Sequence, residues 1–183
     1  MDFPPDKEIY LRSLREVSTD DAKGVAFIDA DNQVYNFDKI AKYLTKQLQA
    51  KQAVASCDGL LERDGEYYFL EFKNQPQANI DTAQLARKAF QSFQLFRLAI
   101  DQESNVDATV SQLTLFVIYA DTGEDESFEG VRGKVHQLAK MEEAAPILFG
   151  LRKVKNKLYK EIYTISKPEF MSTWYPILFP SPS

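Results

Sequence analysis

Asp58, Glu71 and Lys73 are the residues of this chain whose types and spacing suit chemistry. They lie in the stretch AVASCDGLLER, Asp64-Gly65, EYYFLEFKNQ, which is two β-rich runs around a two-residue turn. An Asp-Gly turn between such runs predicts a hairpin of type I′, in which both turn residues take positive φ. With Arg63 facing Glu66, Asp58 faces Glu71 and Ser56 faces Lys73. Strand side chains alternate between faces, so Glu71 and Lys73 share one face and Asp58 joins them. The facing Cβ atoms are then ~4.5–5.5 Å apart, and like charges set directly opposite destabilise a sheet. A divalent cation between the carboxylates offsets that cost. Hard cations such as Mg²⁺ are held by one or two carboxylates together with substrate phosphates.

Asp58, twelve intervening residues, then Glu71-Phe72-Lys73 on the second arm of a hairpin resembles the PD-(D/E)xK, or restriction-endonuclease-like, nuclease superfamily. A lysine-rich helix before the hairpin and a long helix after it are similar to that family's α/β core. The resemblance covers residues 37–121 and implies metal-dependent phosphodiester hydrolysis. It implies that Asp58, Glu71 and the Phe72 backbone carbonyl hold Mg²⁺ or Mn²⁺, and that Lys73 orients or helps deprotonate the attacking water. Gln75, two residues after Lys73 on the same strand face, is a fourth candidate, for hydrogen bonding the nucleophile or a phosphate oxygen. Where many members carry a helix Glu as a further ligand, the helix here offers only Asp38.

Nucleic acid, with DNA first, is the expected partner. Arg87 and Lys88 lie on a polar helix side with Gln84 and Gln91, and are candidate phosphate contacts. Residues 151–160, LRKVKNKLYK, hold Arg152, Lys153, Lys155, Lys157 and Lys160 and no acid, in a chain of net charge −5. Such a basic run is a candidate nucleic-acid surface. The alternative function is a catalytically inactive nuclease-like module that binds nucleic acid or a protein partner. A homodimer or a partner subunit is compatible with either.

These residues need a scaffold. The 183 residues are 44% hydrophobic and include 13 Phe, 9 Tyr and 1 Trp, ample for a core and unlike a disordered chain. A chain of this length buries roughly 70% of its unfolded surface. One Cys and one His exclude a disulfide scaffold and a Cys/His zinc cluster. No apolar run reaches the ~18 residues of a membrane span. The start, MDFPPDKEIY, has no basic segment followed by an apolar one, so a cytoplasmic protein is expected. There is no Gly-rich nucleotide motif. Asp29-Ala-Asp31-Asn-Gln33 lacks the sixth-position Gly and the closing Glu of a calcium loop.

The expected architecture is α/β: one domain over residues 1–183, a mixed β-sheet flanked by helices, with additions at both ends of the 37–121 core. A short amphipathic helix opens the chain, with Asp6 as N-cap and Ile9, Leu14 and Val17 apolar. Val25 to Ile28 reads as a short strand. Ile40, Leu44 and Leu48 recur every four residues and predict a helix from Asp38 to about Lys51. Asp81 caps a long helix to about Ile100, and Leu113 to Ala120 is a strand covered on both faces. An acidic loop at 121–129 precedes a helix with Phe128, Val131, Val135 and Leu138 on one side and His136 at its surface. Ile147 to Val154 and Leu158 to Ile165 read as a second hairpin. Ser166, Pro168 and Glu169 start a last short helix. Cys57 reads as a small buried hydrophobe on the hairpin face opposite Asp58.

Overall fold

The computed structural model describes residues 7–20, 24–50, 54–100, 110–120 and 146–180. The expected acidic loop, the helix after it and His136 lie outside the described residues.

The hairpin forms around its turn. Asp64 and Gly65 take φ of 52° and 77°, the left-handed pair that a type I′ turn demands. They join β5 (Gly59–Arg63) to β6 (Glu66–Pro76), antiparallel, with Arg63 opposite Glu66 and Gly59 opposite Leu70. This hairpin is the middle of a six-stranded mixed sheet. On one side β4 (Gln33–Asn36) pairs antiparallel with β5, and β1 (Leu11–Ser13) pairs antiparallel with β4. On the other side β7 (Leu113–Ala120) lies parallel to β6, and β8 (Glu161–Ser166) lies parallel to β7. Two more strands, β2 (Thr19–Asp20) and β3 (Val25–Ala26), form a separate pair, so the expected Val25–Ile28 strand is shorter and stands outside the main sheet.

Helices cover both faces. α2 (Phe37–Gln47) and α3 (Thr82–Ile100) bury Phe37, Ile40, Leu44, Leu85, Phe93 and Phe96 against the face that carries Leu60, Phe69, Leu115 and Val117. The opposite face carries Leu70, Phe72, Phe116 and Ile118. It is covered by α1 (Leu14–Val17) and by a C-terminal helical stretch, α4 (Lys167–Glu169), a π turn (Phe170–Trp174) and α5 (Tyr175–Leu178). β7 is apolar throughout because it is covered on both sides, as its sequence predicts.

Local chemistry explains the boundaries. Asn36 Oδ1 accepts from Lys39 N at 2.9 Å and starts α2. Gln49, at φ 51°, turns the chain out of that helix before the expected Lys51. Asp81 Oδ1 accepts from the amides of Ala83 and Gln84 and starts α3 where the sequence placed it. The opening segment is not one helix: a 3₁₀ turn (Lys7–Tyr10), β1 and α1 follow one another. Leu11 to Ser13 finds a backbone partner in β4, and Ser13 with Glu16 makes a capping box that begins α1 only afterwards.

The second expected hairpin does not form. Residues 147–154 provide a 3₁₀ turn (Leu151–Val154) in place of a ladder, with an isolated bridge from Lys155 to Tyr159 and Leu148 N donating to Thr164 Oγ1 at 2.9 Å. Phe149, Gly150 and Asn156 all take positive φ, which breaks a strand there. Leu151 and Tyr159 are instead buried among the α2 and α3 side chains, with the Tyr159 hydroxyl donating to the Ala89 carbonyl at 2.7 Å. The free edge of β7 then takes β8 as a parallel partner.

Gly59 is the closest approach in this arrangement. A Cβ built there meets Val17 Cγ1 at 3.3 Å and Leu70 Cβ and Val34 Cγ2 at 3.6 Å. Gly59→Val forces three further carbons' worth of volume into that contact, and its stability in urea is expected to fall by about 1–3 kcal/mol relative to the parent.

Candidate active site at the end of the central hairpin

The carboxyl end of β4 and the amino end of β5 meet beside Leu70, in the middle of β6, where β4 runs into α2 and β6 continues past them alongside β7. Asp58 sits here, one residue before β5 begins. Its backbone still follows the hairpin, with its N–H donating to the Leu70 carbonyl at 3.1 Å and its own carbonyl accepting from Phe37 N at 2.9 Å. The segment before it is fastened by α3 rather than by a strand. Gln91 Oε1 accepts from Ala55 N at 2.8 Å, and Ser92 Oγ accepts from Cys57 N at 2.7 Å.

Three of the expected residues come together. Glu71 is fully buried, and its Oε1 lies 2.8 Å from Lys73 Nζ. Asp58 Oδ2 accepts from Phe72 N at 2.7 Å, so the residue named for its carbonyl presents its amide to the site. A fourth side chain joins them from across the core. Lys88, on α3, puts its Nζ 3.1 Å from Asp58 Oδ1, 2.9 Å from Glu71 Oε1 and 3.0 Å from Glu71 Oε2. It bridges the two carboxylates where the sequence placed it among phosphate contacts. Two acids and two lysines make a formally neutral cluster, with the lysine side chains 13% and 16% exposed.

Neutrality does not remove the cost of burial. Desolvation first, then the negative charge of Glu71, push the Asp58 carboxyl up to about 7, against the pull of Lys88 and the Phe72 amide. Lys88 is held above its ordinary value because the attraction of Glu71 and Asp58 outweighs its own desolvation. Glu71 Oε1 touches both ammonium groups yet has no partner at hydrogen-bonding geometry.

Asp58 also lines a cavity of about 260 Å³ with Glu16, Asp20, Asn36, Asp38, Phe72 and Asn74. Sequence reading missed Glu16 and Asn74 as neighbours of Asp58, because the first reaches the site only through the β1–β4 pairing. Asp38 Oδ1 accepts from the Ser56 hydroxyl, so Ser56 faces α2 and not Lys73. Gln75 is not brought to the cluster. The β6–β7 register shifts between Lys73 and Pro76, and the Gln75 amide donates to the Asn79 carbonyl at 3.1 Å. Cys57 is buried as expected, but on the Asp58 side, in the core with Phe93 and Tyr159, because the chain has left the ladder and alternation no longer applies.

The basic residues lie elsewhere. Arg87 is exposed on α3. Arg152, Lys153 and Lys157 are exposed and Lys155 pairs with Glu161, all in the segment that leads into the amino end of β8. Lys160 N donates to Leu113 at the start of β7, and its ammonium is 2.8 Å from Glu66. Glu66 is five residues along β6 from Glu71, or roughly 16 Å at strand rise. Lys155 and Lys160 therefore stand toward the amino ends of the parallel strands, away from Asp58.

Two outcomes follow from the electrostatics. Folded protein holds the Asp58 proton up to about pH 7, while the unfolded chain releases it near 3.8. The stabilisation is complete below pH 4 and is lost as pH rises to 7, by up to about 1.4 kcal/mol per pH unit. Urea unfolding across that range should show the slope, and Asp58→Asn should flatten it. Lys88→Met leaves two buried carboxylates with one lysine and is expected to cost about 3–5 kcal/mol, most of it recovered in the Lys88→Met, Glu71→Gln double variant. No family model matches this chain, and neither a curated protein nor a solved structure shows detectable similarity to it.

Proposed function

We propose that this chain is a Mg²⁺-dependent nuclease with a restriction-endonuclease-like core, hydrolysing phosphodiester bonds in DNA. The observation that carries the reading is the convergence of Asp58, Glu71 and Lys73 where the β5–β6 ladder ends, beside an acid-lined cavity. The β5–β6 hairpin, the α3 crossover to a parallel β7 and the helix preceding Asp58 also agree with the chain order of that core.

The donor set suits a hard divalent cation. Asp58 Oδ1 and both Glu71 oxygens already surround one cationic centre, the Lys88 ammonium, and Glu71 Oε1 has no hydrogen bond to give up. Among the described residues no three His, Cys, Asp or Glu side chains form a complete cage. Mg²⁺ is commonly held by one or two carboxylates, with water and phosphate completing its shell. Asp58 and Glu71 would hold the ion, which supplies charge neutralisation at the phosphate and a lower pKa for bound water. Lys73, held 2.8 Å from Glu71, would orient the attacking water. Phe72 and Leu70 keep the far side of the hairpin dry, which strengthens each charge interaction at the site.

The alternative, an inactive nuclease-like module, rests on Lys88. With its ammonium between the carboxylates the site is electrically complete without metal, and the exposed Arg152, Lys153 and Lys157 are left to serve as a separate nucleic-acid surface.

Soaking crystals in Mn²⁺ separates the two. Nuclease function is expected to give anomalous density between Asp58 and Glu71 that Glu71→Gln abolishes, together with Mg²⁺-dependent cleavage of DNA that Lys73→Met reduces by about 10²-fold or more. No density, no cleavage and salt-dependent DNA binding lost on neutralising Arg152, Lys153 and Lys157 would establish the inactive module instead.

A further inference from the structure

Lys88 occupies the position that the two carboxylates define. Its Nζ has three carboxylate oxygens within 3.1 Å, from Asp58 and from both arms of Glu71. The hard oxygens that would take a divalent cation are therefore the ones the ammonium engages, and two positive centres cannot share so small a space without strong repulsion. Neither can Lys88 leave without replacement, because Asp58 and the fully buried Glu71 would then confront each other with Lys73 as their single cation. Lys73 contacts only the Oε1 side of Glu71, so it does not stand in for Lys88 at Asp58.

The side chain has a way out. It is 16% exposed, and its four-carbon stem allows the ammonium to swing while the backbone of α3 stays in place. One turn earlier on the same helix side, Gln84 is exposed, so the ammonium can move toward solvent along that side.

We propose that Lys88 is a built-in counter-ion that occupies the divalent-cation position, and that metal loads by a one-for-one exchange in which the ammonium is expelled. The proposal rests on the metal-dependent reading above and specifies how that site is regulated: the metal-free cluster is neutral and closed, and the metal must outcompete an intramolecular cation. Weak metal affinity in the parent protein is then a designed consequence of one residue, and removing that residue strengthens binding.

Two measurements test it. Mn²⁺ binding followed by electron paramagnetic resonance should be at least ten-fold tighter in Lys88→Met, and in Lys88→Gln, than in the parent, and absent in Glu71→Gln. Amine acetylation of the parent protein, read by peptide mass spectrometry, should show Lys88 protected without metal and several-fold more reactive in saturating Mg²⁺, with exposed Lys157 unchanged. If the parent binds Mn²⁺ but the Lys88 variants bind equally or less well, and Lys88 reactivity ignores Mg²⁺, the exchange is overturned while the metal site stands. If neither the parent nor a folded Lys88 variant binds Mn²⁺, the metal reading falls and the exchange falls with it. Should both variants fail to fold, the acetylation of the parent protein decides alone.

Discussion

Two carboxylates set on neighbouring arms of one hairpin, in a protein interior, are the constraint on which the site depends. Asp58 and Glu71 approach each other because β5 and β6 are locked in register by the Asp64-Gly65 turn. Their repulsion and desolvation oppose folding, and the structure offsets both with two ammonium groups, one from the same strand and one from across the core. Breaking such a buried set on one side is costly, whereas its intact net contribution is modest. The cluster is thus poor as a stabilising device and well suited to holding charge in a dry place.

The rest of the fold can be read as support for that cluster. The α3 helix does two things with one polar side: Lys88 neutralises the acids, while Gln91 and Ser92 hold the backbone that delivers Asp58. Its apolar side, with Leu85, Phe93 and Phe96, is what fixes the helix to the sheet. The parallel β7 and β8 add a wide apolar support behind β6, with Phe116 packed on Tyr163 and Trp174 on the far face. Site geometry is most exact when carried on rigid elements, and here the carboxylates belong to the central hairpin of the sheet.

Charge is distributed along the molecule as well as along the chain. The acids Glu16, Asp20, Asp38 and Asp58 share one cavity, while the exposed Arg152, Lys153 and Lys157 lie on the segment that leads into β8. The Lys88 ammonium at the Asp58–Glu71 position is what offsets the negative charge on this side of the molecule.

Much of this was legible from residues alone. The Asp-Gly turn set the hairpin register, period-two alternation put Glu71 with Lys73, the Asp81 cap began α3, and the apolar run from Leu113 to Ala120 announced a strand buried on both faces. These are local signals, in which a residue's own φ preference or its spacing to near neighbours settles the outcome. What the tertiary structure alone decided involves partners distant in sequence. Lys88 reads as an outward helix lysine until α3 is packed against β6, and Gln75 reads as a neighbour of Lys73 until the register shift before Pro76 turns it away. The second hairpin failed for the same reason: burial of Leu151 and Tyr159 against the core, with β8 added to the open edge of β7, outweighed pairing between adjacent segments. Periodicity specifies which face of an element is apolar, whereas the free energy of burying that face against a particular partner belongs to the assembled chain.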